Sequence, residues 1–115
     1  MNEVKLCGVI ERSPQVYETP GKIPLVCFPL RVTETLMLGN GSAHNVSSYF
    51  PVRCLGKKYL EALKQMAPST ELSVKGRLAR QPYISKEGVR NNDTYVLVTD
   101  EYGVIEQLNA LSKGK

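Results

Sequence analysis

Tyr49-Phe50-Pro51-Val52-Arg53-Cys54-Leu55 divides its side chains between two faces when laid out as a strand. Phe50, Val52 and Cys54 fall on one side and make an ordinary core face. Tyr49, Arg53 and Leu55 fall on the other: a ring, a cation and a branched apolar residue. Leu72-Ser73-Val74-Lys75-Gly76-Arg77-Leu78-Ala79-Arg80-Gln81-Pro82-Tyr83 repeats the division. There Leu72, Val74 and Leu78 take the core parity, while Lys75, Arg77 and, across Pro82, Tyr83 take the opposite one.

Working outward from these two strands gives the rest of the order. Val4 to Glu11 alternates and reads as a first strand, with Val4, Leu6, Gly8 and Ile10 on one face. Ser13-Pro14 and Thr19-Pro20-Gly21 mark turns. Ile23 to Val32 reads as a second strand, with Val26, Phe28, Leu30 and Val32 inward and Arg31 opposite. Pro29 cannot donate a ladder hydrogen bond, so an edge or a bulge is expected there. Residues 33–48 read as a long connection around Gly39-Asn40-Gly41-Ser42. Gly56 to Ala67 has helical spacing through Leu60, Leu63 and Met66, and Pro68 stops it. A fourth strand spans Glu71 to Arg80, a second long loop at 82–93 reads as a hairpin arm with Lys86-Glu87-Gly88 near its tip, and a fifth strand spans Thr94 to Asp100. Val104 to Leu111 reads as an extension or a short helix. Five strands with the helix between the third and fourth describe an all-β OB-fold, a small Greek-key barrel.

Length and composition bound the function. With 115 residues the chain makes one domain, set at 1–108, followed by a short basic tail at 109–115. A hydrophobic content of 42% and a charged content of 23% are globular values. No apolar run is long enough for a bilayer-spanning helix, so no membrane partner is expected. A net charge of +4 permits a polyanionic partner without demanding one. Cys7, Cys27 and Cys54 lack metal-ligand spacing and read as free buried thiols in a reducing compartment. His44, the single histidine, has no Ser, Cys or Asp at an interpretable spacing, so no catalytic residue, metal or cofactor is expected.

Several segments, in order, resemble the single-stranded-DNA-binding protein family of bacteria and organelles. Asn2-Glu3-Val4-Lys5-Leu6-Cys7-Gly8-Val9-Ile10 resembles its opening N-x-V-x-L-x-G-x-L/I strand. Pro14 with Thr19-Pro20-Gly21 fits its turn, and Phe28-Pro29-Leu30-Arg31-Val32 resembles its F-x-L-x-V strand. Val52-Arg53-Cys54-Leu55-Gly56-Lys57 fits its entry to the helix, and Val74-Lys75-Gly76-Arg77-Leu78 its V-x-G-R-L strand. The resemblance implies base-stacking positions at Tyr49, Tyr83, Leu55 and Leu36, two of them aromatic and two leucine. It also implies a recruiting tail with an acidic tip, where this sequence carries Leu111-Ser112-Lys113-Gly114-Lys115.

The expected function is non-enzymatic binding of single-stranded DNA, or RNA, in replication, recombination or repair. Rings stack on bases while cations meet phosphates. Arg31, Arg53, Lys57, Lys75 and Arg77 are the expected phosphate track, extended by Arg80, Lys86 and Arg90 along the second loop. Glu3, Glu11 and Glu87 lie close by and would dilute its field. Tyr17 and Tyr59 are expected to pack, and the platforms Tyr49 and Tyr83 have a competing reading as barrel-edge or subunit-interface residues. The alternative function is a tail-less OB-fold assembly or RNA-binding module, primosome-like or RNA-editing-complex-like. A homo-oligomer, dimer or tetramer, is expected, with replication or repair proteins as further partners. A cytoplasmic, nucleoid-associated location is expected, or an organellar one.

Overall fold

The computed structural model describes residues 1–64, 66–84, 88, 90–99 and 103–107; at 82–84, 90, 91 and 107 the description covers the backbone. The elements run β1 (Val4–Ile10), β2 (Gln15–Glu18), β3 (Pro24–Met37), β4 (Ala43–Leu55), α1 (Lys57–Leu63), β5 (Thr70–Ile84), β6 (Arg90–Val98) and β7 (Val104–Gln107). Pairing follows β1-β3-β4-β6-β5, and β5 returns to β1, so five strands close into a ring. β4 and β6 are the parallel pair, in register through Val52↔Val96, Arg53↔Leu97 and Cys54↔Val98. The ring has the strand order and helix position of the expected OB-fold, with β2 and β7 as additions at its rims.

The core comes from the inward parity. Val26, Phe28, Leu30, Val52, Cys54, Leu72, Val74, Val96 and Val98 are buried, together with Ile10. Burying one such side chain is worth roughly 1.5–3 kcal/mol, so alternation along these strands fixes which face turns outward. α1 adds Tyr59 and Leu63 to this core. The Tyr59 hydroxyl donates to the Gly103 carbonyl at 3.4 Å, which agrees with its packing role. Gly56 opens the helix at φ 141°, a conformation that side-chain-bearing residues rarely adopt. The helix ends at Leu63, earlier than its apolar spacing suggests. Pro68 bars helical geometry for the residue before it, so the pattern past Leu63 serves a turn.

Pro29 and Pro51 stand opposite one another in the β3–β4 ladder. Neither carries an amide hydrogen, so they fit only where the amide positions point away from the partner strand. On its outer side Pro29 falls between the β2 partners of Pro24–Cys27 and the β1 partners of Leu30 and Arg31. Pro51 falls just before β4 meets β6. Each proline therefore sits where the sheet has a gap, and the expected edge is found without a bulge.

Three readings need correction. Residues 33–48 are not a loop: β3 and β4 stay paired out to Met37↔Ala43, making a two-stranded arm. The hairpin arm expected at 82–93 is present, with β5 and β6 paired out to Ile84↔Arg90. Leu78 is half exposed rather than core, because β5 leaves β1 and β7 beyond Gly76 and runs on with β6 alone. Of the three thiols, only Cys54 is buried; Cys7 is exposed on β1 and Cys27 is half-buried. The tail at 109–115 lies outside the described residues.

Candidate nucleic-acid interface

Register carries the outward side chains into rows across the sheet. Gln15, Cys27, Arg53, Leu97 and Arg77 are partners in turn across β2, β3, β4, β6 and β5. At about 4.8 Å between strands, that row is roughly 19 Å wide. One row along one flank come Tyr17, Leu25 and Leu55. Beyond the facing prolines, on the other flank, Arg31 pairs with Tyr49. One outer face thus gathers Arg31, Tyr49, Arg53, Leu55 and Arg77 among the expected site residues.

Two aromatic–arginine clusters dominate it. In the first, Glu11 at the end of β1 accepts a 2.7 Å hydrogen bond from the Tyr49 hydroxyl and pairs with Arg31 Nε at 3.2 Å. Tyr49 as a residue remains 56% exposed. Donation to Glu11 pushes the Tyr49 phenol above its ordinary value, helped by the carboxylate's charge and opposed by Arg31 and Arg12. In the second cluster, the Arg53 guanidinium lies over the Tyr95 ring, 4.0 Å from its centre. Arg53 also donates to Gln81 Oε1 at 3.1 Å and pairs with Asp93 at 3.7 Å. Cys27 sits beside it; burial raises that thiol's pKa, and the Arg53 charge pulls the other way.

The phosphate track is therefore not a row of unengaged cations. Arg31 is held by Glu11, Arg53 by Asp93, and Lys75 by Glu3 at 3.5 Å. Glu3 and Glu11 dilute the field as the sequence suggests, and Asp93 adds to them. Each pair is solvent-exposed enough to be worth only about 0–1 kcal/mol, so an incoming phosphate can displace the carboxylate.

Other expected site residues lie apart. Lys75 is held between β1 and β7, opposite Lys5 and Val104. Leu36 is 45% exposed on the β3–β4 arm, but its parity is that of Glu34 and His44 rather than of Tyr49. Arg80 is exposed with the parity of Leu78, opposite to that of Gln81. Lys57 is exposed at the helix start and lines a groove of about 400 Å³ with Val16, Lys22 and Leu60. Tyr83 and Arg90 are placed through their backbone partners, Asn91 and Ile84. Lys86 lies outside the described residues, as does Glu87.

The structure adds two residues to the face. Tyr17, expected to pack, is 52% exposed on β2, and Arg12 precedes that strand. Both line an open groove of about 450 Å³ with Leu25, Cys27, Pro51 and Arg53. Gln15-Val16-Tyr17-Glu18 alternates between two turn signals, and that short pattern was the available sign of a strand carrying an outward ring. Among the described residues, no His, Cys, Asp and Glu group is arranged to hold a metal, and no helix is long and apolar enough to cross a membrane.

The chain is 28% identical over 114 residues to a single-stranded DNA-binding protein of Clostridium tetani, covering 99% of this chain and 77% of that one. It is 25% identical to a Deinococcus radiodurans protein of the same description, spanning 99% of this chain and 35% of that longer protein. A Plasmodium falciparum SSB solved in complex with ssDNA has the same fold, with a TM-score of 0.84 at 14% identity, covering 94% of this chain and 95% of that one. A deletion mutant of the Thermus aquaticus single-stranded DNA binding protein superposes with a TM-score of 0.80 at 23% identity, over 96% of this chain and 51% of that one. The model of the single-strand binding protein family matches residues 1–104, and the chain belongs to that family.

Proposed function

We propose that the protein binds single-stranded DNA passively, on the outer face that carries Tyr49 and Arg53. The observation that carries the reading is the exposed Tyr49 ring held beside Arg31, on the side of the sheet opposite the core. Stacking on a base is worth about 1–3 kcal/mol and is tolerant of sequence. Arg31, Arg53 and Arg77 supply charge along the same face, and the paired β3–β4 and β5–β6 arms extend beyond the ring. Tyr83, Leu55 and Leu36 are the further contacts of this proposal, with Lys57, Lys75, Arg80, Lys86 and Arg90 as outer phosphate contacts. Binding of this kind protects or straightens a strand during replication, recombination or repair, at nucleoid DNA in the cytoplasm, and it needs no catalytic group.

A second copy of the chain completes the proposal. Only Val9 and Ile10 of β1 pair with β3 among the described residues, so Val4–Cys7 present one open backbone edge. An open edge accepts another strand. A dimer or tetramer built there would set several binding faces along one strand.

The test is a fluorescence-anisotropy titration with oligo-dT and oligo-U at two salt concentrations, beside a solution mass measurement. Binding to oligo-dT that weakens steeply with salt, by about 0.7 log units per phosphate contact per tenfold salt, is expected. No binding at low salt would overturn the reading in favour of an assembly module.

A further inference from the structure

Tyr17 stands where two grooves meet. It lines the groove of about 450 Å³ that holds Arg12 and Arg53, and also the groove of about 400 Å³ that holds Lys22 and Lys57. Tyr17 is 52% exposed, and its hydroxyl donates to Gln15 Oε1 at 2.6 Å. Through Leu25 it is in row with Leu55, two strands away, or roughly 10 Å. The row carries leucine at its β4 end and a ring at its β2 end. An exposed ring flanked by cations on both sides has the chemistry of a base platform with phosphate contacts to either side.

We infer that Tyr17 is a nucleobase-stacking residue, and that the path of the bound strand leaves the β3–β4 face over β2, between Arg12 and Arg53 on one side and Lys22 and Lys57 on the other. This inference rests on the single-stranded DNA reading above and adds a subsite to it. The groove floor of Leu25, Cys27 and Pro51 is apolar enough to receive the edge of a base, and Tyr17 supplies the π-face. The hydroxyl is not required, because stacking uses the ring.

The experiment uses the full chain and labelled oligo-dT. Tyr17→Ala weakens binding about tenfold, Tyr17→Phe keeps it, and the Ala effect disappears on an abasic oligonucleotide that offers sugar and phosphate alone. The chain has no tryptophan, so Tyr17→Trp gives one clean fluorophore at the subsite, and oligo-dT quenches it. Circular dichroism checks that each variant folds; the Phe and Trp variants keep the test alive if the Ala variant does not. Oligo-dT binding with an unquenched Trp and an unaffected Tyr17→Ala variant overturns the inference and leaves the parent reading standing. Equal losses on normal and abasic strands also overturn it, since Tyr17 would then act through charge or shape. No binding by the unmutated chain would fail both.

Discussion

Tyr49 and Tyr95 both lie near an arginine on the same sheet, yet they are used differently. Tyr49 commits its hydroxyl to Glu11, and the residue stays 56% exposed. Tyr95 gives up its ring, which the Arg53 guanidinium covers at 4.0 Å. The first arrangement keeps a platform open; the second spends the ring on holding a cation in place. What matters for recognition is thus which part of the aromatic is already engaged, not the presence of an aromatic on the face.

The largest expected effect separates these two roles. Tyr49→Ala should cost about 1–3 kcal/mol of oligo-dT affinity. Tyr95→Ala should cost clearly less affinity and instead lower the folding stability, by about 0.5–1 kcal/mol for the lost cation–π contact plus packing. Paired anisotropy and urea-melt measurements check both halves, and equal affinity losses would erase the distinction.

How far the sequence exposes this distinction follows from burial. Where one face of a strand is buried, as at Val26-Cys27-Phe28 or Val52-Arg53-Cys54, alternation is strong, and both the ring and its outward residues are legible. Where both faces are wet the signal vanishes. Thr33-Glu34-Thr35 and Asn45-Val46-Ser47 are paired strand, stitched by Thr33–Ser47 at 2.9 Å and Thr35–Asn45 at 2.8 Å, yet they read as a polar connection. Tyr17 was hidden by the same effect on a four-residue strand whose every residue is exposed. The carboxylate partners were half legible. Glu11 and Glu3 lie close to the site in sequence, whereas Asp93 reaches Arg53 only because the parallel β4–β6 pairing closes the ring.

The second cluster predicts the next effect in size. Arg53→Ala removes a cation from the centre of the widest row and leaves Asp93 and Gln81 facing an incoming phosphate. Oligo-dT affinity should fall about five- to tenfold, with Arg53→Lys recovering only part, because an ammonium cannot hold Tyr95, Gln81 and Asp93 through one planar fork. Full recovery by lysine would mean that charge alone matters there.

A smaller change, of opposite sign, comes from the first cluster. Glu11 occupies on Arg31 and Tyr49 the position a phosphate oxygen would take. Glu11→Gln should tighten binding about two- to fivefold, the reciprocal of a surface ion pair worth under about 1 kcal/mol. The salt dependence should steepen as Arg31 becomes available, by up to about 0.7 in the log–log slope. Weaker binding in Glu11→Gln would make the carboxylate an organiser of Tyr49 and not a competitor for Arg31.

The smallest effect is confined to alkaline solution and follows from the sign of the Tyr49 shift. The phenol must keep its proton to donate to Glu11, and its pKa is raised above the ordinary 10.0 by that donation. A raised value in the folded state means the contact's contribution is complete below the unfolded value and is lost as pH climbs through the folded one. Neutral pH therefore leaves it untouched, and ionisation above about pH 10 puts a phenolate against Glu11 and against any bound phosphate. Phenolate absorbance in Glu11→Ala should titrate earlier than in the unmutated chain, because both the hydrogen bond and the carboxylate's charge are removed, while Arg31 and Arg12 remain to favour the anion. An unchanged titration would place the Tyr49 hydroxyl in solvent and free the ring to turn. The fixed orientation that sets Tyr49 apart from Tyr95 would then have no source in the protein and would have to come from the bound strand.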